Sequence, residues 1–304
     1  MDITLKQLKV FLAVAQSNNL TAAAAQLFMT KGAVSQTLSE LEKRLGQPLF
    51  DRHHARIFIN HDGEKLIPVA DELLSRMNEI SALFSHSAQE PTLLLGCSKT
   101  IGSYILPGLL GEFKNTHQWL PKITIENTND IIKKLLNFDV DLAIIEGAIN
   151  DNDISSTPWL TDEMVIIAAK NHPLALEKKV PFSVLSQQSW ILREQGSGSR
   201  SYFENNLAPL LTSKNVILAL DTFDSILFSV QQNLGITYAS RLIIQNPFFQ
   251  PYFSIIKTEK RFFRSISLCH HRQKYLSAGA RLWIDFLNQA GQTLESARNS
   301  EIEV

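Results

Sequence analysis

The sequence predicts a multidomain α/β protein: a small domain of three helices and a β-hairpin over residues 1–61, a long linker helix over 62–88, and a strand-and-helix region over 89–304. Three observations carry this reading. Apolar residues recur at helical spacing through three short segments before Gly46, they step by three or four from Leu66 to Phe84, and beyond Pro91 short β-rich runs alternate with helical ones.

Composition limits the classes. With 304 residues, 44% hydrophobic content and a formal net charge of −1, the chain reads as globular with room for two or more domains, and disorder is not the expectation. The opening MDITLKQLKVF lacks a basic segment followed by an apolar run, and no stretch reaches the about 18 consecutive apolar residues of a membrane span. A cytoplasmic protein without a membrane partner is the expectation. Only Cys97 and Cys269 occur, too few for a disulfide scaffold, and each lies in an apolar run that favours a buried, inert thiol.

In the first helix Leu5, Leu8, Phe11, Leu12 and Ala15 form one stripe, which ends in the turn-prone Ser17-Asn18-Asn19. Thr21 is the expected N-cap of a second helix, Ala22 to Phe28, whose alanines allow close approach by a neighbour. Thr30 caps a third helix that Gly46 and Pro48 end. On it Val34, Leu38, Leu41 and Leu45 fall on one face, and Gly32, Ser35, Gln36, Ser39 and Lys43 on the other. Short polar side chains permit backbone approach and can bond base edges in a DNA major groove, whereas a glutamate-rich face would be repelled by phosphate. The run PLFDRHHARIFIN then reads as a β-hairpin wing that presents Arg52 and Arg56 to phosphates or the minor groove.

The run QLKVFLAVAQSNNLTAAAAQLFMTKGAVSQTLSELEKRLGQPLFDR resembles the winged helix-turn-helix of the LysR-type transcriptional regulators: Phe11, the alanine-rich second helix, Ala33 to Ser35, Leu41-Glu42, Leu45-Gly46, Leu49-Phe50 and Arg52 match. The resemblance implies DNA contacts by Thr30, Lys31, Ser35, Gln36 and Thr37, with Arg52 and Arg56 on the backbone. The chain departs from the family at Gly32, where a small polar residue or proline is common, and at Ile59-Asn60-His61-Asp62-Gly63, where Asn60 can still cap the next helix.

From Asp62 to about Ser87 the stripe Leu66, Val69, Leu73, Met77, Ile80 and Phe84 is too long for the N-terminal domain to cover, so it is expected to pair with the same helix of a second subunit, the alternative being packing on the chain's own larger domain. A homodimer, extending to a homotetramer, would present two recognition helices to a pseudo-palindromic operator in double-stranded DNA.

Beyond the break at Gln89-Glu90-Pro91, LLLGCS, ITIENT, DLAIIEG, EMVIIAAK, WILR, VILALD, GITYAS and FSIIK read as strands of parallel sheets with crossover helices, which bind ligands at strand carboxyl ends. Three such ends carry hydroxyls and free N–H groups suited to an anion: Ser98-Lys99-Thr100-Ile101-Gly102-Ser103, the segment from Arg193 to Arg200, and Thr222-Phe223-Asp224-Ser225. No catalytic constellation is found. Gly196-Ser197-Gly198-Ser199 lacks the frame of a phosphate loop or hydrolase elbow, and His270-His271 alternate across a strand and cannot share a metal.

SKTIGSYILPGLL, DLAIIEG, HPLA, REQGSGSR and GITYAS are similar to the effector-binding domain of the same regulators, which implies two α/β subdomains related to periplasmic binding proteins. Subdomain I would span about 91–162 and 268–304, closed by a helix from Ala278 to Ala290, and subdomain II about 163–267, with crossings near Thr161-Asp162 and Arg264 to Leu268. The resemblance places a ligand between them against Ser98, Thr100, Gly147, Ser199 and Phe223, with Ile101, Gly102 and Ser103 beside it. No cofactor is expected beyond a small-molecule effector, an anion such as a carboxylate or inorganic oxyanion held largely without salt bridges. The expected protein is not an enzyme but a DNA-binding regulator. The rival readings are a thiol switch through Cys97 and Cys269, and a carrier or enzyme that does not bind DNA.

Overall fold

The structure, a computed structural model, describes residues 2–53, 56–84, 92–147, 149 and 151–302. Three helices, α1 (Leu5–Ser17), α2 (Leu20–Gln26) and α3 (Lys31–Leu45), precede the hairpin of β1 (Phe50–His53) and β2 (Arg56–Ile59). Phe11, Val34, Leu38, Leu41, Leu49 and Phe50 form their shared core. The second helix starts earlier than the threonine suggests: Asn18 closes α1 in the left-handed region at φ 48°, and the Asn19 side chain then accepts the N–H groups of Thr21 and Ala22. Asn is as good a cap as Thr and it comes first in the chain. Thr30 caps α3 by accepting Ala33 N–H, and Gly46 ends it at φ 75°. The hairpin tip at His54 and Ala55 lies outside the described residues, as does the break at Gln89-Glu90-Pro91.

The linker helix α4 (His61–Phe84) begins where the Asn60 side chain accepts the N–H groups of Asp62 and Gly63. Its first turns pack on α1. Leu66 is therefore not part of a free stripe; it joins Ile67, Ala70 and Leu74 against the N-terminal core. Val69, Leu73, Met77, Ile80 and Phe84 remain exposed, Phe84 at 79%.

The C-terminal region contains β3 (Leu94–Ser98), α5 (Lys99–Tyr104), α6 (Leu106–His117), β4 (Lys122–Glu126), α7 (Thr128–Leu136) and β5 (Leu142–Glu146), then the long strand β6 (Ile154–Ala169). There follow α8 (Phe182–Leu185), β7 (Ser189–Arg193), α9 (Gly198–Tyr202), β8 (Asn215–Leu220), α10 (Phe223–Gln231), β9 (Thr237–Ser240), α11 (Arg241–Ile244), β10 (Phe253–Ile256), β11 (Phe262–His271) and α12 (Ala278–Ile302). The sheets are mixed, not wholly parallel. β3 pairs in parallel with β4 and β5, and β7 with β8, whereas β6 runs antiparallel to β9, β10 and β11.

Strands β6 and β11 pair from Phe262↔Met164 to His271↔Ile154 and pass between two cores. Leu160, Ile266 and Leu268 belong to the core with β3, α6 and α12; Met164 and Phe262 belong to the core with β7 and α9. The C-terminal helix runs well past Ala290, because Gly291 seats against Trp159 and the polar segment that follows contains no proline.

The linker helix is fastened to this region by charge. Lys274, almost wholly buried, reaches Asp71 of α4 at 2.8 Å and Asp141 at 2.7 Å. Burial pulls the Lys274 ammonium down, but Asp141 and Asp71 outweigh it and hold the group charged above the ordinary lysine range. About two turns on, Glu79 accepts the Tyr275 hydroxyl at 2.9 Å and the Ala278 N–H at 2.8 Å.

Candidate DNA-binding face and effector site

The outer face of α3 is open. Lys31, Gly32, Gln36, Ser39 and Lys43 are exposed, while Ser35 and Thr37 are half-buried at its margins. Gly32 has nothing within 4 Å of the position its Cβ would take, so the backbone there is free to approach a partner closely. Thr30 spends one lone pair on its cap. Gln36 donates to Glu40 at 3.1 Å, a contact between exposed groups that a base edge can replace. Arg52, half-exposed on the wing, lies 3.5 Å from Glu42, whose other oxygen accepts Leu49 N–H at 2.9 Å. Glu42 thereby fixes the wing to α3. Arg56 lies on β2, opposite His53.

The predicted effector residues separate. Ser98, Thr100, Gly147 and Ser199 converge where β6 and β11 cross. Ser98 Oγ donates to Glu146 at the end of β5. Gly147, at φ 101°, donates its N–H to Ser265 O at 3.1 Å. Ser199 Oγ accepts from Arg264 Nη1 at 2.9 Å, and Thr100 Oγ1 accepts from Arg193 Nη1 at 3.3 Å. The other four do not line the site with their side chains. Ile101 belongs to the core with α6, Gly102 backs onto Ile125, Ser103 is exposed, and Phe223 is core, edge-on to Tyr104 at 5.7 Å. The helical geometry of α5 explains the first three, since consecutive residues of a helix cannot share a face, and Phe223 is turned into its own core at the start of α10.

The charged side chains of this region are paired with one another. Arg264, central on β11, donates from Nε to Asp162 at 2.8 Å and lies 3.8 Å from Glu146, all three being buried. Ser240 donates to the other Asp162 oxygen at 2.7 Å. Arg193 is bidentate on Glu194, at 2.8 and 3.0 Å. Lys99 and Arg200 are committed as well: Lys99 to Asp221 O at 2.9 Å, and Arg200 to Glu204 at 2.8 Å. Sequence reasoning did not single out Glu146, marked Asp162 and Arg264 only as crossing points, and met Arg193 only as the start of a candidate segment. The available signal was parity, for Arg264 shares the inward face of β11 with Phe262 and Ile266.

The two sides of the crossing are in contact. Tyr104 donates to Asp224, Lys99 reaches toward Asp221, and Gly198 N–H donates to Thr128 Oγ1 at 3.1 Å. In this arrangement most polar groups pair with one another, while Arg264 Nη2 and Tyr238 Oη are buried without a hydrogen-bond partner.

The thiols sit on opposite sides of the sheet, Cys97 with the α6 core and Cys269 with the α7 core. Burial pushes them up to about 12 and about 11. They are neither paired nor ionised at neutral pH. Among the described residues no group of His, Cys, Asp and Glu could hold a metal ion, and no helix is long and apolar enough to cross a membrane.

A winged helix-turn-helix joined by a long helix to two α/β lobes around a crossing defines a transcriptional regulator with an effector-binding domain. Residues 5–64 match the bacterial regulatory helix-turn-helix protein of the lysR family, and residues 86–292 match the LysR substrate binding domain. The chain belongs to the LysR family of transcriptional regulators. It is 36% identical over 292 residues to the HTH-type transcriptional regulator YeiE of Escherichia coli K12, covering 95% of this chain and 99% of that one. It is 27% identical over 294 residues to the transcriptional activator CmpR of Synechocystis, covering 94% and 95% of the two chains. Full-length OxyR from Pseudomonas aeruginosa has the same fold, with a TM-score of 0.71 at 18% identity over 96% of this chain and 95% of that one. The regulatory domain of Synechocystis CcmR in complex with 2-PG aligns with a TM-score of 0.62 at 25% identity, over 66% of this chain and 97% of that domain.

Proposed function

We propose that this regulator binds a pseudo-palindromic operator as a homodimer, or a pair of dimers, through the exposed face of α3, and that a small anion bound between the two effector lobes repositions the paired DNA-binding domains. The observation that carries the reading is the crossing of β6 and β11, where the hydroxyls of Ser98 and Ser199 and the buried guanidinium of Arg264 converge from separate elements. A cation held in a dry site is suited to a carboxylate or inorganic oxyanion. Binding of 2-PG by the CcmR domain supports an anionic effector. The exposed apolar stripe of α4 supports the dimer. The Lys274 and Glu79 contacts offer a mechanical link from lobes to linker.

The test is selection of genomic fragments by the purified protein at moderate salt, repeated with a panel of small anions. Selective, salt-sensitive binding shifted by one anion supports the reading; no selective binding under any condition overturns it. Leu73→Glu and Met77→Glu together should convert the dimer to a monomer by light scattering and abolish tight operator binding.

A further inference from the structure

The turn between α2 and α3 carries the most exposed large apolar side chain among the described residues, Phe28 at 98%. Its backbone lies in the left-handed region at φ 53°. Of the other described non-glycine residues with positive φ, Asn18, Gln118 and Asn233 carry amides, and Phe138 has its ring buried. Phe28 alone combines a bulky apolar side chain in that region with exposure. A left-handed backbone crowds Cβ against the following carbonyl, and an aromatic ring in water gains nothing in return.

Local hydrogen bonds explain why the ring points outward. Phe28 N–H donates to Ala25 O at 3.3 Å, and Met29 N–H donates to Ala24 O at 2.9 Å. Those two bonds close α2 in the pattern whose left-handed position is usually filled by glycine, and Phe28 holds that position. Leu27 and Met29 on either side pack against the N-terminal core, so the residue between them is turned to solvent. Glycine or asparagine would make the same turn without a ring. The fold therefore has no use for an aromatic there, and a partner outside the fold has to supply one.

The position within the motif identifies that partner. When a helix-turn-helix docks, its first helix crosses the sugar-phosphate backbone and the N-terminal residues of its second enter the major groove. Phe28 lies between the two, just before the Thr30 cap and Lys31, which are both exposed. Gly32 follows, with nothing within 4 Å of the position of a Cβ, and lets this end of α3 come close to a partner. The ring is thus placed at the rim of the groove. The apolar surfaces there are a deoxyribose and the C5-methyl of a thymine.

We infer that Phe28 is a DNA contact, its ring packing on the apolar rim of the major groove against a deoxyribose or a thymine methyl. This rests on the reading that the outer face of α3 meets DNA. It adds a residue outside that helix, and an apolar contact that the polar face of α3 lacks. The left-handed turn is what holds the ring beyond the protein surface. Packing of a neutral ring releases no counterions, so this contact should contribute affinity without salt dependence.

The experiment titrates full-length wild type, Phe28→Asn, Phe28→Gly, Phe28→Tyr and Gln36→Ala with the genomic fragment the protein selects, at several salt concentrations. Phe28→Asn and Phe28→Gly keep the left-handed turn and should melt at or above the wild-type temperature. Their affinity for the fragment should fall about tenfold, the scale of one apolar side chain removed from a contact, with the salt slope unchanged. Phe28→Tyr keeps the ring and should retain most of the affinity. The same fragment made with uracil in place of thymine distinguishes the two surfaces: weakening of wild type but not of Phe28→Asn puts the ring on a thymine methyl, and equal effects on both put it on a sugar. Wild-type affinity in Phe28→Asn and Phe28→Gly, with Gln36→Ala weakened, overturns the inference and leaves the reading of α3 in place. A loss in Phe28→Asn that brings a smaller salt slope, or that comes with a lower melting temperature and is absent in Phe28→Gly, also overturns it. If none of these substitutions, Gln36→Ala included, changes binding, the inference and the reading of α3 fall together.

Discussion

The outer face of α3 and the crossing of β6 and β11 are opposite kinds of site. The first is drawn from one continuous helix and is open to solvent, with polar groups that have few obligations to the fold. The second draws Ser98 from β3, Glu146 from β5, Asp162 from β6, Ser199 from α9 and Arg264 from β11, and every one of these is buried and bonded to another. A DNA face can be both exposed and cheap in stability because its partner supplies the missing bonds. A buried polar cluster has to be stable as it stands, so its groups pair with each other, and a ligand entering there would have to displace or insert into those pairs.

That difference predicts a gradient of mutational effects. The largest belongs to Arg264→Met, which leaves Asp162 and Glu146 buried without their cation; removing one partner of a buried ion pair costs about 3–5 kcal/mol, and the effector region should melt at markedly lower denaturant. Gln36→Ala on the open face should leave that transition within about 0.5 kcal/mol of wild type. Equal destabilisation by the two would break the comparison.

Two glycines sharpen it. A Cβ at Gly102 would meet Ile125 at 2.7 Å, so Gly102→Ala should cost about 1–3 kcal/mol by overpacking. Gly32 lies in α3 with open space around it, and Gly32→Ala should be neutral or stabilising by up to about 1 kcal/mol while weakening operator binding. Denaturant midpoints paired with fragment-binding titrations check both.

Within the open face, effects on recognition divide by role. Ser35→Ala or Gln36→Ala should reduce discrimination between operator and random DNA, by about 1–3 kcal/mol for a lost base contact. Arg52→Ala should weaken both kinds of DNA alike and lower the dependence on salt. Smallest of all is the expected effect of Cys97→Ser under peroxide. Burial holds both thiols far above neutral pH, so thiol reagents should not react with native protein below about pH 9, and peroxide should not change DNA binding.

Legibility in the sequence followed the same division. The α3 face was readable because helical periodicity and caps are local, and Thr30, Gly46 and the leucine stripe bound the helix within a few residues. Leu66 packs in part on its own N-terminal core, which the stripe did not show because periodicity reports which residues are apolar, not which of two available surfaces covers them. Strand ends bearing Ser98 and Ser199 stood out through their loop chemistry. Arg264, Glu146 and Asp162 did not, since a charge on the inward face of a strand acquires meaning only when the strands that bring its partners are known. Ile101, Ser103 and Phe223 were swept in with their neighbours, although helix geometry turns each of them elsewhere.

The central claim is that the two unlike sites are coupled, and coupling between binding sites is reciprocal. The most direct measurement is the affinity of the selected anion for the full-length protein, with and without saturating operator DNA. The account predicts that DNA changes the anion affinity by the same factor by which the anion changes DNA affinity. An anion affinity indifferent to bound operator, together with an operator affinity indifferent to the anion, would contradict it.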